Sequence, residues 1–296
     1  MTQLRKRMLE ELQRRNYSQR TIESYLHAVG DFARHFGKSP DQLNQEHIRQ
    51  YQLHLIEDCK FATNTIVARI AALRFFFVKT LRRPYQREDL PSPKRPQRLP
   101  TVLSQQEVGR LIDSADGLFH YAILMTLYST GLRRAELCQL RVIDIDSPRM
   151  VIHVHKGKGN RDRDVPLSPK LLETLRAYWR WKKPQTWLFP CRGQADAETP
   201  ITVKTVYFAV RQAAKRAGLQ KRISPHTLRH SWATHLLENG ADLRTIQILL
   251  GHADLEHTTV YLHMSQRHLQ AVPNPIEGIE VADPKAVQGA SQRQRP

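Results

Sequence analysis

Acidic residues are in short supply: 28 Asp and Glu face 46 Lys and Arg over 296 residues, leaving a formal charge of +18. A surplus of that size points to a polyanionic partner, with nucleic acid ahead of an acidic membrane. Long apolar runs are missing too. No stretch approaches the ~18 residues that cross a bilayer, and the start lacks the charged, apolar and small-residue segments of a secretory signal, so a cytoplasmic chain is expected. Cysteine is sparse: Cys59, Cys138 and Cys191 are odd in number and form no C-x-x-C pair. A disulfide framework and a thiolate zinc site are both disfavoured, leaving packed or idle thiols. GKGN (157–160) lacks the Gly-Lys-Ser/Thr ending of a phosphate loop, and no acidic cluster suggests two-metal chemistry. His226 and His230 have the i, i+4 spacing of a metalloprotease helix, but no glutamate lies between them and Arg229 would oppose a dication. Neither a metal nor a cofactor is expected.

The length suits two domains, each with its own core. A Pro-rich basic stretch, LPSPKRPQRLPT (90–101), cannot continue a helix and divides the chain. We expect a helical domain over 1–90, a linker over 91–101, a second domain over 102–270 and a mobile tail over 271–296. In 21–36, Ile22, Tyr25, Val29, Phe32, Ala33 and Phe36 recur at spacings of three and four, and 63–81 repeats the pattern behind a Thr/Asn start. This predicts a bundle of four or five helices. Arg69, Arg74, Lys79, Arg82 and Arg83 lie along the last of them, either as a solvated face or as a stripe that tracks phosphates.

Beyond the linker, Ser104 and Glu107 form a capping-box signature over 103–115, and another helix is expected over 119–129. Gly131 permits a sharp turn ahead of Arg133. The stretch 150–167 alternates and then breaks at Gly157 and Gly159, which predicts a β-hairpin whose basic tip carries Lys156 and Lys158. Further helices are expected around 171–183 and 206–218. The second domain therefore reads as mainly α with a small antiparallel sheet. Tyr121, Tyr128 and Tyr207 read as core tyrosines.

The densest chemistry comes late. SPHTLRHSWATHLL (224–237) sets His226 and Arg229 three apart on one helix face, behind a Ser224 N-cap and Pro225. LLGHADLEHTTVYLH (249–263) then supplies His252 and Tyr261. TGLRRAEL, GKGN with VPL, H-x-x-R and LLGH nine residues before a tyrosine occur here in an order that resembles the tyrosine recombinase (phage integrase) family, most closely its short Xer-like branch. The resemblance covers nearly the whole chain. It implies an N-terminal SAM-like core-binding domain and a C-terminal catalytic domain. It also implies Arg133, Lys158, His226, Arg229, His252 and Tyr261 as catalytic residues, with Glu136 in support.

Residue chemistry fits those roles. Charge builds on the non-bridging oxygens of a five-coordinate phosphorus, where the permanently charged forks of Arg133 and Arg229 stabilise it. Tyrosine has a pKa near ~10, so only about a thousandth is ionised at neutral pH and Tyr261 needs a proton acceptor. His226 is the expected acceptor and His252 a phosphate donor. Lys158, favoured over Lys156, would protonate the departing 5′-oxygen, and Glu136 would orient its neighbours. The expected product is a 3′-phosphotyrosine that a second 5′-hydroxyl can reseal without ATP. The resemblance further implies double-stranded DNA as partner, a homotetramer on two sites assembled from monomers and a Holliday junction; inverted-repeat core sites, a mobile-element role and a bacterial, nucleoid-associated protein are also expected. A type IB topoisomerase-like enzyme and a catalytically silent DNA-binding protein are the alternatives.

Overall fold

The computed structural model describes residues 2–85, 91, 93, 99–155, 162–191, 199–251, 254–262 and 264–265. It divides into two compact units, Met1–Arg98 and Leu99–Pro296, the division falling within the Pro-rich stretch. Most of that stretch, the tail over 271–296, and the hairpin tip with Lys156 and Lys158 lie outside the described residues, as does His252. No helix among the described residues is long and apolar enough to cross a membrane.

The first unit is a bundle of α1 (Gln3–Arg14), α2 (Gln19–Phe36), α3 (Gln45–Glu57) and α4 (Thr63–Phe75), the last running into a π-helical turn, Phe76–Thr80. Side chains of Thr2, Ser18 and Asn44 accept from backbone N–H groups in the first turns of α1, α2 and α3, satisfying donors that have no partner within the helix. The periodicity of α2 is realised: Ile22, Val29 and Phe32 are buried, with Tyr25 and Phe36 packed at the edge of the same core. Phe32 meets Tyr51 and Phe77 edge-on, at ring separations of 5.2 and 6.1 Å. The π turn falls where Phe75, Phe76 and Phe77 follow one another and all three are buried.

This bundle sorts the basic stripe. Arg69 donates to Asp31 Oδ2 at 2.8 Å and to Tyr51 Oη at 2.9 Å, and its guanidinium lies over the Phe61 ring. Arg83 donates to the carbonyls of Asp41 and Leu43 and lies over Phe77. Arg69 ties α4 to α2 and α3, and Arg83 ties the segment after the π turn to the connection between α2 and α3. Arg74 is half-buried, while Lys79 and Arg82 are exposed.

The second unit is mainly helical. Its elements are α5 (Gln105–Asp113), α6 (Gly117–Thr130), α7 (Arg134–Cys138), β1 (Ile145–Asp146), β2 (Val151–Val154), β3 (Arg163–Pro166), α8 (Pro169–Lys182), α9 (Val203–Arg216), α10 (Pro225–Glu238), α11 (Leu243–Leu250) and α12 (Glu256–Thr259). The capping box at α5 forms as expected: Ser104 Oγ accepts from Glu107 N, and Glu107 Oε2 accepts from Ser104 N. Helix α6 carries apolar residues around its whole circumference and is enclosed by α5, α7, α8, α9 and α10. The hairpin of β2 and β3 pairs Ile152 with Val165, and β1 adds a third antiparallel strand that the alternation pattern does not reveal.

Tyr121 and Tyr128 pack against the main core as expected. Tyr207 does not: with Phe208 it stands exposed on α9, where Lys204 Nζ lies 5.7 Å from the Phe208 ring. Helical spacing places Tyr207 beside Val206 but on a different face, and the packing takes Val206. A second, smaller core forms from Trp232, Ala233 and Leu237 of α10, Ile246 and Leu250 of α11, and Tyr261.

Candidate active site

Helix α6 ends on Gly131, whose φ of +60° is open to glycine and costly for other residues. A Cβ there would lie 2.2 Å from the Trp232 ring, so the turn and the close approach of α10 both require glycine. Arg133 follows as the N-cap of α7, and Glu136 sits at the third helical position. Glu136 Oε2 accepts from the Arg133 backbone N–H at 2.8 Å, and Oε1 accepts from Arg133 Nη1 at 2.8 Å.

Arg163, on β3, completes the cluster. Its Nη1 and Nη2 donate to the two oxygens of Glu136 at 3.1 and 2.8 Å, and both side chains are only 6% exposed. Burial alone would raise the Glu136 pKa. The hydrogen bonds and charge of Arg163, then the backbone and side-chain hydrogen bonds of Arg133, outweigh it and hold the carboxyl at about 2. One buried carboxylate thus fixes two guanidinium groups.

The three arginines converge on the end of α11. Arg163 Nε donates to the Leu249 carbonyl at 2.7 Å, Arg229 Nη2 to Leu250 at 2.6 Å, and Arg133 Nη2 to Gly251 at 3.3 Å. These are carbonyls that the helix leaves without partners at its negative end, so cations satisfy both the hydrogen bonds and the dipole. Gly251, at φ +60°, ends the helix. A Cβ there would approach Arg163 Cδ to 3.3 Å. The residue that follows is His252. Arg229 also donates from Nη1 to the Gly131 carbonyl at 2.6 Å, linking α10 to the turn that carries Arg133. Burial and then the Arg133 charge lower the Arg229 pKa to about 9, which leaves it protonated at neutral pH.

Tyr261 follows α12 and is 1% exposed. Burial raises the pKa of its phenol, and the charges of Arg229 and Arg133 draw it back down. Its Oη lies 3.2 Å from Nδ1 of His230. Sequence reading assigns that contact to His226, one turn earlier. His226 instead stands at the surface of the same helix, with a pKa lowered by partial desolvation and by Arg229, Arg134 and Arg133. Burial, with His226 and Arg229, pushes His230 down to about 4, so its ring is neutral at physiological pH.

The structure therefore gathers Arg133, Glu136, Arg229 and Tyr261, with His226 at the rim. Arg163 and His230 join them unannounced. Arg163 was legible in one respect: it is two residues from Val165 on a strand, so it shares the inward face. For His230 the sequence signal is its i, i+4 spacing from His226, which by itself does not point to Tyr261.

Residues 101–268 match the model of the phage integrase family, and residues 4–87 match its N-terminal SAM-like domain. A Sinorhizobium fredii protein named "Putative integrase/recombinase y4qK" is 51% identical over 278 residues, 94% of this chain and 89% of that one. Tyrosine recombinase XerC of Anoxybacillus flavithermus is 35% identical over 87% of this chain and 91% of its own. A lambda integrase tetramer bound to a Holliday junction shares the fold, with a TM-score of 0.70 at 18% identity over 86% of this chain and 75% of that one. The chain belongs to the phage integrase family of tyrosine recombinases. It is a site-specific recombinase, an enzyme that cleaves and rejoins DNA.

Proposed function

We propose that Tyr261 attacks the scissile phosphodiester to give a 3′-phosphotyrosine and a free 5′-hydroxyl, which a second duplex reseals. The observation that carries this reading is a buried tyrosine held in the field of two arginines that are themselves anchored to one helix end. Arg133 and Arg229 stabilise the charge on the phosphorane, His226 and His252 donate to its oxygens, and Lys158 rather than Lys156 protonates the 5′-oxygen. Glu136 holds Arg133 in place. Because the bond energy is kept in the protein–DNA ester, no ATP is required, and the forks of Arg133 and Arg229 take the place of a metal at the phosphorane oxygens.

Residues 102–270 carry the chemistry in this proposal, and 1–90 bind the core DNA, with the exposed Lys79 and Arg82 as phosphate contacts ahead of Arg74. Arg69 and Arg83 act there as internal braces. The assembly is a homotetramer on two inverted-repeat core sites that passes through a Holliday junction, a reading that the lambda integrase complex supports by its shared fold. The cell site is the cytoplasm, at the nucleoid, and the role is integration or excision of a mobile element. The test incubates the protein, in EDTA and without ATP, with nicked suicide duplexes from its own flanking DNA. A covalent adduct that Tyr261→Phe abolishes is the expected result; no adduct on any flanking sequence sinks the reading.

A further inference from the structure

Tyr261 attacks as a phenolate-like nucleophile, so its proton must leave as the Oη–P bond forms. The hydroxyl is enclosed, with Tyr261 packed among Trp232, Ile246 and Leu250, so bulk water is poorly placed to take it. Among the described residues, the side chain within hydrogen-bond distance of Oη is His230, at 3.2 Å through Nδ1, with ring centroids 5.8 Å apart. From this geometry we infer that His230, and not His226, is the catalytic base that accepts the Tyr261 proton.

The inference rests on the transesterification proposed above and specifies one step of it. As the Tyr261 Oη–P bond forms and the P–O5′ bond breaks, the phenolic proton passes to His230 Nδ1, and the 5′-oxygen takes a separate proton from the general acid. In the reverse step, the attacking 5′-hydroxyl gives its proton to the deprotonated general acid as the O5′–P bond forms and the Tyr261 Oη–P bond breaks, and the imidazolium returns its proton to the departing phenolate. Electrons and protons balance with no further reagent.

Electrostatics agree with the geometry. The groups acting on the imidazole are His226 and Arg229 of α10, and those acting on the phenol are Arg229 and Arg133. Burial first, and then these cationic or neutral neighbours, keep the ring unprotonated and able to accept; burial raises the phenol's pKa, and against it the two arginines favour the phenolate. Such a base is weak in the ground state and gains only when negative charge reaches the phosphorane. The partition suits a reversible reaction that has to run in both directions. Placement is secured by α10 itself: Arg229, the residue before His230, is pinned at Gly131 and Leu250.

The test measures single-turnover adduct formation on nicked duplexes with a bridging 5′-phosphorothiolate, whose leaving group departs without protonation. Wild type, His230→Ala and His230→Gln are compared from about pH 6 to about pH 10, after circular dichroism and DNA binding confirm folded protein. Loss of a general base should slow both variants by ~10²–10³ near pH 6.5, with the rate then climbing about tenfold per pH unit until the gap closes. Wild type should be nearly flat over the same range. A deficit that is equal at every pH, or a His230→Gln rate that is flat and near wild type, would assign His230 to positioning and overturn the inference, as would an undiminished His230→Ala rate. If Ala alone fails to fold, the Gln variant decides. Absence of an adduct from wild type itself would instead strike the underlying reading.

Discussion

Glu136 illustrates how much one side chain carries in this site. Its carboxylate is enclosed by Arg133 and Arg163 and held at about 2 from an ordinary 4.5. A depressed carboxyl contributes stability that is present above its unfolded pKa and is lost as pH falls through the folded one, here between about 4.5 and 2. The contribution is roughly 3 kcal/mol, from a shift of that size at about 1.4 kcal/mol per unit. Glu136→Gln, which leaves the buried guanidinium of Arg163 and the partly buried one of Arg133 without a counter-charge, should destabilise by about 3–5 kcal/mol at neutral pH. Denaturant melts should show the deficit shrinking as the acid limb is entered; a constant deficit down to that limb would refute the assignment. Arg229→Lys tests the other anchor. An ammonium cannot reach the Gly131 and Leu250 carbonyls with a planar fork, so adduct formation should fall ~10²–10³-fold while DNA affinity changes little. Quantitative gels and fluorescence anisotropy separate the two effects.

At the scale of elements, the α6–α7 turn and the hairpin decide whether the catalytic groups meet. Gly131→Ala would combine a left-handed backbone with a Cβ 2.2 Å from the Trp232 ring. A loss of about 2–4 kcal/mol is expected, together with a misplaced Arg133. Thermal melts and adduct yield would report both, and a neutral outcome would mean that α10 yields more readily than its packing suggests. On the hairpin, His153 is paired across the ladder with Asp164, Nδ1 to Oδ1 at 2.7 Å, and the Asp164 hydrogen bond, with the nearby charges of Asp164 and Asp146, raises the imidazole pKa. A raised histidine stabilises below its unfolded pKa, and the effect fades as pH rises through the folded value. Asp164→Asn should lower the His153 pKa in an NMR titration; an unchanged midpoint would show that the pair forms no lasting contact.

For the whole molecule, the net charge of +18 sets the terms of DNA binding. Each phosphate neutralised on duplex DNA contributes a slope of about −0.9 to log K against log salt. Lys79→Ala and Arg82→Ala, at exposed positions of the first unit, should each reduce that slope by about one and leave stability unchanged. Arg69→Ala should do the reverse, unfolding the bundle more easily by losing Asp31, Tyr51 and Phe61 together. A slope unaltered by both exposed substitutions would remove this face from the DNA interface.

The sequence by itself determined whatever depends on local spacing and on totals. Capping pairs such as Ser104 with Glu107, the apolar stripe of α2, the glycine ahead of Arg133, the ordered motifs ending in Tyr261 and the charge surplus are all properties of neighbouring residues or of their sum. They were readable because a helix or turn responds mainly to residues within a few positions. Only tertiary structure decided which side chains meet across long separations. Spacing fixes the angle at which His226 and His230 leave α10, separated by one turn, but not which turn faces a tyrosine 31 residues beyond the second of them. Nor does it say that Arg69 and Arg83 turn inward, that Tyr207 turns outward, or that Arg163 is drawn to Glu136, because those outcomes follow from the space and charge that other elements leave to be filled.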